Sequence, residues 1–258
     1  GVDEAISDTP QDRFAESAPV SLATATGPTA TSAPEGATIA ASSAHPINAA
    51  VDDTNPVAGA KTLAELHAAL ASWDGSELRR GARNCVFSDG LPGAHLMIIG
   101  EAPGADEDRQ GKPFVGRAGQ LLDRMLAAIG LDRNADDPAQ AAYISNILPW
   151  RPPGNRTPSE AEVAAFLPFI LRHIELARPR VLFTIGNTPT KALLATPTGI
   201  KRMRGTWRRH PASGLPLLPS FHPAYLLRQP SEKRLAWRDL KELRRVLGGG
   251  APDIKDLT

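Results

Sequence analysis

The chain has 258 residues, enough for one large α/β domain or two small ones, and a formal net charge of +1. Cys85 is the single cysteine, which excludes an internal disulfide and any cysteine-rich metal site and suits a reducing compartment. No apolar run is long enough to span a bilayer, and the start lacks the basic and apolar regions of a secretory signal, so a cytoplasmic protein is expected.

The charge balance hides an asymmetry. Residues 1–60 hold eight acids against Arg13 alone, whereas the remainder holds 28 bases against 20 acids. Residues 1–58 are rich in Ala, Ser, Thr and Pro, with too few large apolar residues to offset the entropy of ordering, so a disordered or loosely attached tail is expected. A folded domain is expected over 59–250, with 251–258 as a C-terminal tail. A moderately basic body suits a polyanionic ligand, although many enzymes are this basic without touching nucleic acid.

From "KTLAELHAALASW", Leu63, Leu66, Leu70 and Trp73 recur at helical spacing behind Thr62 as N-cap. "AHLMIIG" reads as a buried strand, "GQLLDRMLAAIGL" as an amphipathic helix and "AYISNIL" as a second strand. "TPSEAEVAAFLPFILRHIEL" opens with Thr157 or Ser159 as cap and Glu160 or Glu162 in its first turn; Pro168 bends or divides this helix. "RVLFTIG" is a third strand, "TPTKALLA" a short helix, "LPLLPSFHP" a fourth strand and "SEKRLAWRDLKELRRVLG" the closing helix. The alternation predicts a three-layer α/β/α sandwich around a mostly parallel, four-stranded sheet.

In such folds, ligands sit at the carboxyl ends of the strands. The unusual residues gather there, in "GEAPG", "SNILPWRPPGNR", "IGNTP" and "SFHPAYLLR". Gly100 and Gly104 allow close backbone approach, and Pro103 stiffens the turn. Glu101, Asp106, Glu107 and Asp108 would repel a phosphate, and neither a dinucleotide fingerprint nor a P-loop is present. Phe114 reads as a core plug or as a stacking platform for a base. Asn146 reads as a satisfied structural amide or as a paired donor and acceptor for a base edge. His222, ahead of Pro223, is either structural or a donor. The run "KRMRGTWRR" suits either a phosphate backbone or a solvated face. No Ser/His/Asp order or His/Cys cluster suggests acyl transfer or metal hydrolysis.

Three long segments in order, "GEAPGADEDRQGKPFVGRAGQLLD", "YISNILPWRPPGNRTP" and "SFHPAYLLRQPSEKRLAWRDL", resemble the uracil-DNA glycosylases of the bacterial family 4 type. The resemblance implies a monofunctional DNA-repair enzyme, a monomer in a bacterial cytoplasm at the nucleoid. It would extrude uracil from single- or double-stranded DNA and release it as free base, leaving an abasic site. The same fold as a non-catalytic binder of uracil-containing or abasic DNA is the alternative. By resemblance, Phe114 stacks on uracil, Asn146 reads its polar edge, and His222 donates to O2. Gly100, Ala102, Pro103 and Gly104 line the pocket, and Glu101 or Glu107 orients water. Arg151, Asn155, Arg156, Arg204, Ser220, Tyr225, Leu226, Leu227 and Arg228 face the DNA, with the Tyr225–Arg228 segment as wedge.

Two departures stand out. The best-known relatives place an Asp two residues after the first glycine of "GEAPG", where this chain has Ala102. Family 4 enzymes hold an iron–sulfur cluster (4Fe–4S) through four cysteines, and those places hold Trp73, Ser76, Trp150 and Phe166 here. No cofactor is therefore expected, with packing in its stead. Asn155 stands where a related branch has a His that traps the sugar covalently, so turnover is expected.

Overall fold

The computed structural model describes Val57 and residues 59–255 of the chain. The expected tail over 1–58 lies, Val57 aside, outside the described residues. The elements in chain order are α1 (Leu63–Ser72), α2 (Leu78–Gly81), β1 (Asp89–Gly90), β2 (Leu96–Gly100), α3 (Ala105–Gln110), α4 (Arg117–Ala127) and β3 (Ala142–Asn146). They continue with α5 (Glu160–Ala177), β4 (Val181–Ile185), α6 (Asn187–Leu194), α7 (Ile200–Met203), β5 (Arg208–Arg209), β6 (Pro216–Ser220), α8 (Pro223–Arg228) and α9 (Lys233–Leu247). Short 3-10 turns lie at Pro153–Asn155 and Pro230–Glu232.

The sheet has six strands in the order β1-β3-β2-β4-β6-β5. Its inner four, β3, β2, β4 and β6, are parallel and match the expected four-stranded core. The difference lies at the edges, where β1 and β5 each add two antiparallel residues. Strands this short leave no periodic pattern, which is why the sequence reading passed over them.

Every residue of β2, β3 and β4 is buried, which requires cover on both faces. Alternation along β2 divides the core. Met97 and Ile99 join a cluster with Leu66 and Leu70 of α1, Phe166, Phe169 and Ile170 of α5, and Leu193 of α6. Leu96 and Ile98 join Leu122 and Leu126 of α4, Leu226 of α8, and Leu240 and Leu243 of α9. Three layers follow directly from the period-two pattern.

Helix starts obey local chemistry. Thr62 Oγ1 accepts the Glu65 N–H at 3.1 Å, as expected. Ser159, not Thr157, caps α5: its Oγ accepts the Glu162 N–H at 3.2 Å, and Glu162 Oε2 accepts the Ser159 N–H at 2.8 Å. Pro168 does not divide α5, which runs unbroken to Ala177. An interior proline costs about 3 kcal/mol, and burial of Phe166, Phe169 and Ile170 around it offsets that cost. The expected C-terminal tail docks in part: Ile254 forms a bridge with Trp207, and the Lys255 N–H donates to the Trp207 carbonyl at 2.9 Å. No helix among the described residues is long and apolar enough to cross a membrane.

Candidate active site

The carboxyl ends of β2 and β3 lie side by side, with Gly100 paired to Asn146. A side chain on Gly100 would collide with Asn146 Oδ1 and the Phe114 ring, so glycine is required where these two groups converge. Asn146 is buried, and its Oδ1 has no hydrogen-bond partner among the described residues. A buried carbonyl oxygen left unpaired costs about 1–3 kcal/mol, so a donor brought to this acceptor would be favoured.

Phe114 packs beside it, buried, with φ of 55°. That left-handed backbone costs a phenylalanine about 1–2 kcal/mol and is fixed from both sides. Glu107 Oε1 accepts the N–H groups of Val115 and Gly116, both at 2.9 Å, while its Oε2 accepts the Gly104 N–H at 3.1 Å. From the other side, Arg133 donates to the carbonyls of Pro113 at 3.0 Å and Phe114 at 2.9 Å. Asp123 and Asp89 hold the same guanidinium at 2.7 and 3.2 Å. Gly119 lets the start of α4 press against the Phe114 carbonyl, where any side chain would clash. Between β2 and Phe114 the chain forms the short helix α3, capped by Gly104 and Glu107.

His222 stands at the end of β6 and caps α8, with its Nδ1 accepting the Ala224 N–H at 3.1 Å. That bond assigns the proton of the neutral ring to Nε2. Burial, with Arg228 nearby, pushes the imidazole down to about 4, against a weaker pull upward from Glu107. The ring is therefore a neutral donor at neutral pH. Its centroid lies 5.5 Å from that of Phe114, so the imidazole stands beside the ring that meets the Asn146 amide at Gly100. Glu101 borders it, its Oε2 accepting the Thr188 hydroxyl at 2.6 Å. Ala102 is half-buried against the apolar core, and Pro103 is buried.

The structure thus brings together Gly100, Glu101, Gly104, Glu107, Phe114, Asn146 and His222. Both Glu107 oxygens accept backbone N–H groups that shape the loop. Three of the residues expected at the DNA are held by partners within the fold. Ser220 is fully buried, and its hydroxyl donates to Asp239 at 2.6 Å. Arg204 pairs with the same carboxylate, donates to the Leu235 carbonyl at 2.8 Å and lies 5.5 Å from the Phe221 ring centroid. Leu226 is 1% exposed and belongs to the core rather than to a wedge. Tyr225 and Leu227 are half-buried and Arg228 is exposed, which leaves these three at the surface of the segment. Arg151 donates to Asn155 at 2.7 Å, and Arg156 forms a two-point pair with Glu162 at 2.6 and 2.8 Å. Sequence reasoning missed Arg133, Thr188 and Asp239. Each acts on a partner at least 19 residues away, and local pattern carries no signal for that.

The four places assigned by resemblance to iron ligands do not fit a cluster. Trp73, Trp150 and Phe166 offer no thiolate and pack on one another instead: Phe166 meets Trp73 at 5.3 Å and Trp150 at 5.5 Å, both edge-on. Phe169 adds a contact with Trp73 at 5.0 Å. The Ser76 hydroxyl accepts the Leu78 N–H at 3.3 Å. Burial raises the Cys85 thiol to about 12, against a smaller lowering by Arg79, so it is not a thiolate at neutral pH.

Comparison with known proteins gives one family. The profile of the uracil DNA glycosylase superfamily matches residues 87–241. A type-4 uracil-DNA glycosylase of Pyrobaculum aerophilum is 35% identical over 200 residues, 75% of this chain and 97% of that protein. The type-4 enzyme of Sulfurisphaera tokodaii is 34% identical, covering 63% of this chain and 74% of its own length. That of Thermotoga maritima is 36% identical, covering 62% and 81%. The chain belongs to the uracil DNA glycosylase superfamily, with type-4 enzymes among its relatives.

Proposed function

We propose that the chain hydrolyses the N-glycosidic bond between uracil and deoxyribose in DNA, leaving free uracil and an abasic site. The observation that carries this reading is the buried, unpartnered Oδ1 of Asn146 beside the Phe114 ring. Uracil presents a donor, N3–H, next to an acceptor, O4, and a carboxamide answers both: Oδ1 accepts from N3–H while Nδ2 donates to O4. Stacking on Phe114 holds the base plane. The extruded nucleotide then lies with O2 toward His222.

As the bond breaks, its electron pair passes to the base, and negative charge builds on O2. The neutral His222 Nε2–H donates to that oxygen. A fixed donor of this kind supplies about 3–4 kcal/mol, because its orientation is set before the charge appears. Nδ1 is already engaged with Ala224, so the ring cannot turn away. Water adds to the oxocarbenium-like sugar and loses a proton, and the uracil anion takes one up. With Ala102 unable to act as a base, Glu101, oriented by Thr188, is the carboxylate that guides water.

The reading extends to an iron-free enzyme in which the ring cluster of Trp73, Trp150, Phe166 and Phe169 joins α1, the segment after β3, and α5. It also has the protein acting as a monomer at the nucleoid of a bacterial cytoplasm. Arg151, Asn155, Arg156, Tyr225, Leu227 and Arg228 meet the DNA. The test is incubation with uracil-containing single- and double-stranded oligonucleotides, followed by alkali. Strand breaks at uracil support the reading; retarded but intact DNA supports the non-catalytic binder.

A further inference from the structure

The closing helix α9 turns Ala236, Leu240, Leu243 and Val246 inward, together with Asp239. Its opposite face carries Lys233, Arg234, Arg238, Lys241, Arg244 and Arg245, all exposed, around Trp237. At 3.6 residues per turn these positions share a sector of about 140°, with Trp237 between Arg244 and Lys241. Trp237 is the one large apolar side chain exposed among the described residues, at 42%. Of the six cations, only Arg245 is in an ion pair among the described residues, with Glu242 at 2.7 Å. Of the two acids of the helix, Asp239 turns inward to Arg204 and Ser220, and Glu242 stands at the edge of the face, where it pairs with Arg245 and accepts the Trp207 indole N–H. This face carries one acid, at its edge, against six bases, with an indole among them.

We infer that this face is a second nucleic-acid contact, for a single-stranded stretch of DNA flanking the extruded nucleotide. Two features select that partner. Cations along a helix of about 22 Å, five of them outside any ion pair among the described residues, offer a track for the phosphates of one strand. An exposed indole among them offers a stacking surface, which only unpaired bases can use. Continuity with the pocket supports the assignment, since α9 begins after the short turn Pro230–Glu232 that follows α8, the helix capped by His222. The inference rests on the reading that the chain acts on DNA, but not on which base it removes.

The test uses the full chain, Trp237→Ala, and Arg238→Ala combined with Lys241→Ala, each checked by thermal melting. Binding to a uracil-free single strand of about 30 nucleotides, long enough to cover pocket and helix, is measured across salt. Each variant is expected to bind on the order of tenfold more weakly, and the double variant's slope of log affinity against log salt to fall by about 1.4. Wild-type tryptophan fluorescence should be quenched on binding, and that response should be lost in Trp237→Ala. Base release from a uracil oligonucleotide too short to reach α9 should be unchanged in all three proteins. Unchanged affinity and slope for both variants would overturn the inference. So would a loss confined to anionic phospholipid vesicles, which would assign the face to a membrane surface. Absence of base release in every protein, with the binding differences intact, would count against the glycosylase reading and leave this one standing.

Discussion

Arg133→Lys tests whether the backbone clamp on Phe114 serves catalysis or only stability. Arg133 is 8% exposed and divides its donors between two carboxylates and two carbonyls. A lysine ammonium can reach the acids, but it cannot fork onto the Pro113 and Phe114 carbonyls together. Losing two bonds from a charged donor removes about 3 kcal/mol or more. For a domain of this size that lowers Tm by roughly 6–12 °C. The local effect is separate. Phe114 sits at φ 55°, a conformation worth about 1–2 kcal/mol of strain, and without the clamp it relaxes and carries the ring away. Stacking on an aromatic ring contributes about 1–3 kcal/mol per base, so the inhibition constant of free uracil should rise by a factor of about 5 to about 160. The assay is inhibition of oligonucleotide cleavage by added uracil, alongside melting by circular dichroism. Asp123→Asn is the control, because it weakens the arginine's charge partner and leaves the carbonyl fork in place. It should lower Tm while leaving uracil inhibition nearly as in the wild type. If Arg133→Lys loses stability yet binds uracil as tightly as the wild type, the clamp is scaffolding and the reasoning fails. If Phe114→Ala also leaves uracil binding unchanged, the stacking role itself is refuted.

His222→Ala should lower the single-turnover rate by about a hundred- to a thousandfold while DNA affinity holds; a change of about twofold or less would remove the imidazole from the mechanism. Because burial holds His222 near 4, the acid limb of kcat/KM should fall near that value and not near the ordinary 6.5. Protonating Nδ1 sets it against the Ala224 N–H and breaks the cap. The same depression makes stability linked to pH: the unfolded chain binds the proton first, so stability present above about 6.5 is lost as pH falls through the window toward 4. His173, pushed down to about 3 by burial, extends the loss further, and urea midpoints measured between those pH values would show it. Asn146→Asp removes the donor to uracil O4 and substitutes an acceptor, so uracil excision should fall and weak cytosine excision appear. Full uracil activity in that variant would reassign the pocket. Protein purified from iron-replete cells should be colourless and free of stoichiometric iron by elemental analysis. Iron that copurifies with active protein would refute packing in place of a cluster.

The parallel core was legible because it is buried on both faces: continuous apolar runs such as "LMIIG" and "VLFTI" admit little else. Thr62 and Ser159 were legible as caps because a hydroxyl acceptor acts on N–H groups a few residues ahead. Gly100, Phe114, Asn146 and His222 stood out as residues poorly explained by either helical or strand periodicity. The failures involve long-range partners. Arg204 looked like one more surface base until Asp239, buried on α9, engaged it. Leu226 and Leu227 are adjacent in sequence and look alike, yet α8 turns the first into the core and leaves the second half-buried. That helix did carry a local sign, since Pro223 at its first position with a side-chain acceptor before it is a common helix start.

The pairing of α1 with α5 bears on how the chain is made. The two helices share one core cluster, and Arg172 of α5 donates to the Ala60 carbonyl at 2.7 and 3.0 Å. About 90 residues separate Ser72 from Glu160, and the ribosome adds roughly 5–20 residues per second. For several seconds of synthesis, therefore, Leu66 and Leu70 have no α5 to cover them. The opposite layer starts sooner, because α4 follows β2 with only the short helix α3 between them. Emergence of α5 is then the moment at which the nascent chain can first bury its earliest helix. Synonymous codon changes that slow translation between those helices should lengthen the exposure of that apolar face to chaperones and proteases.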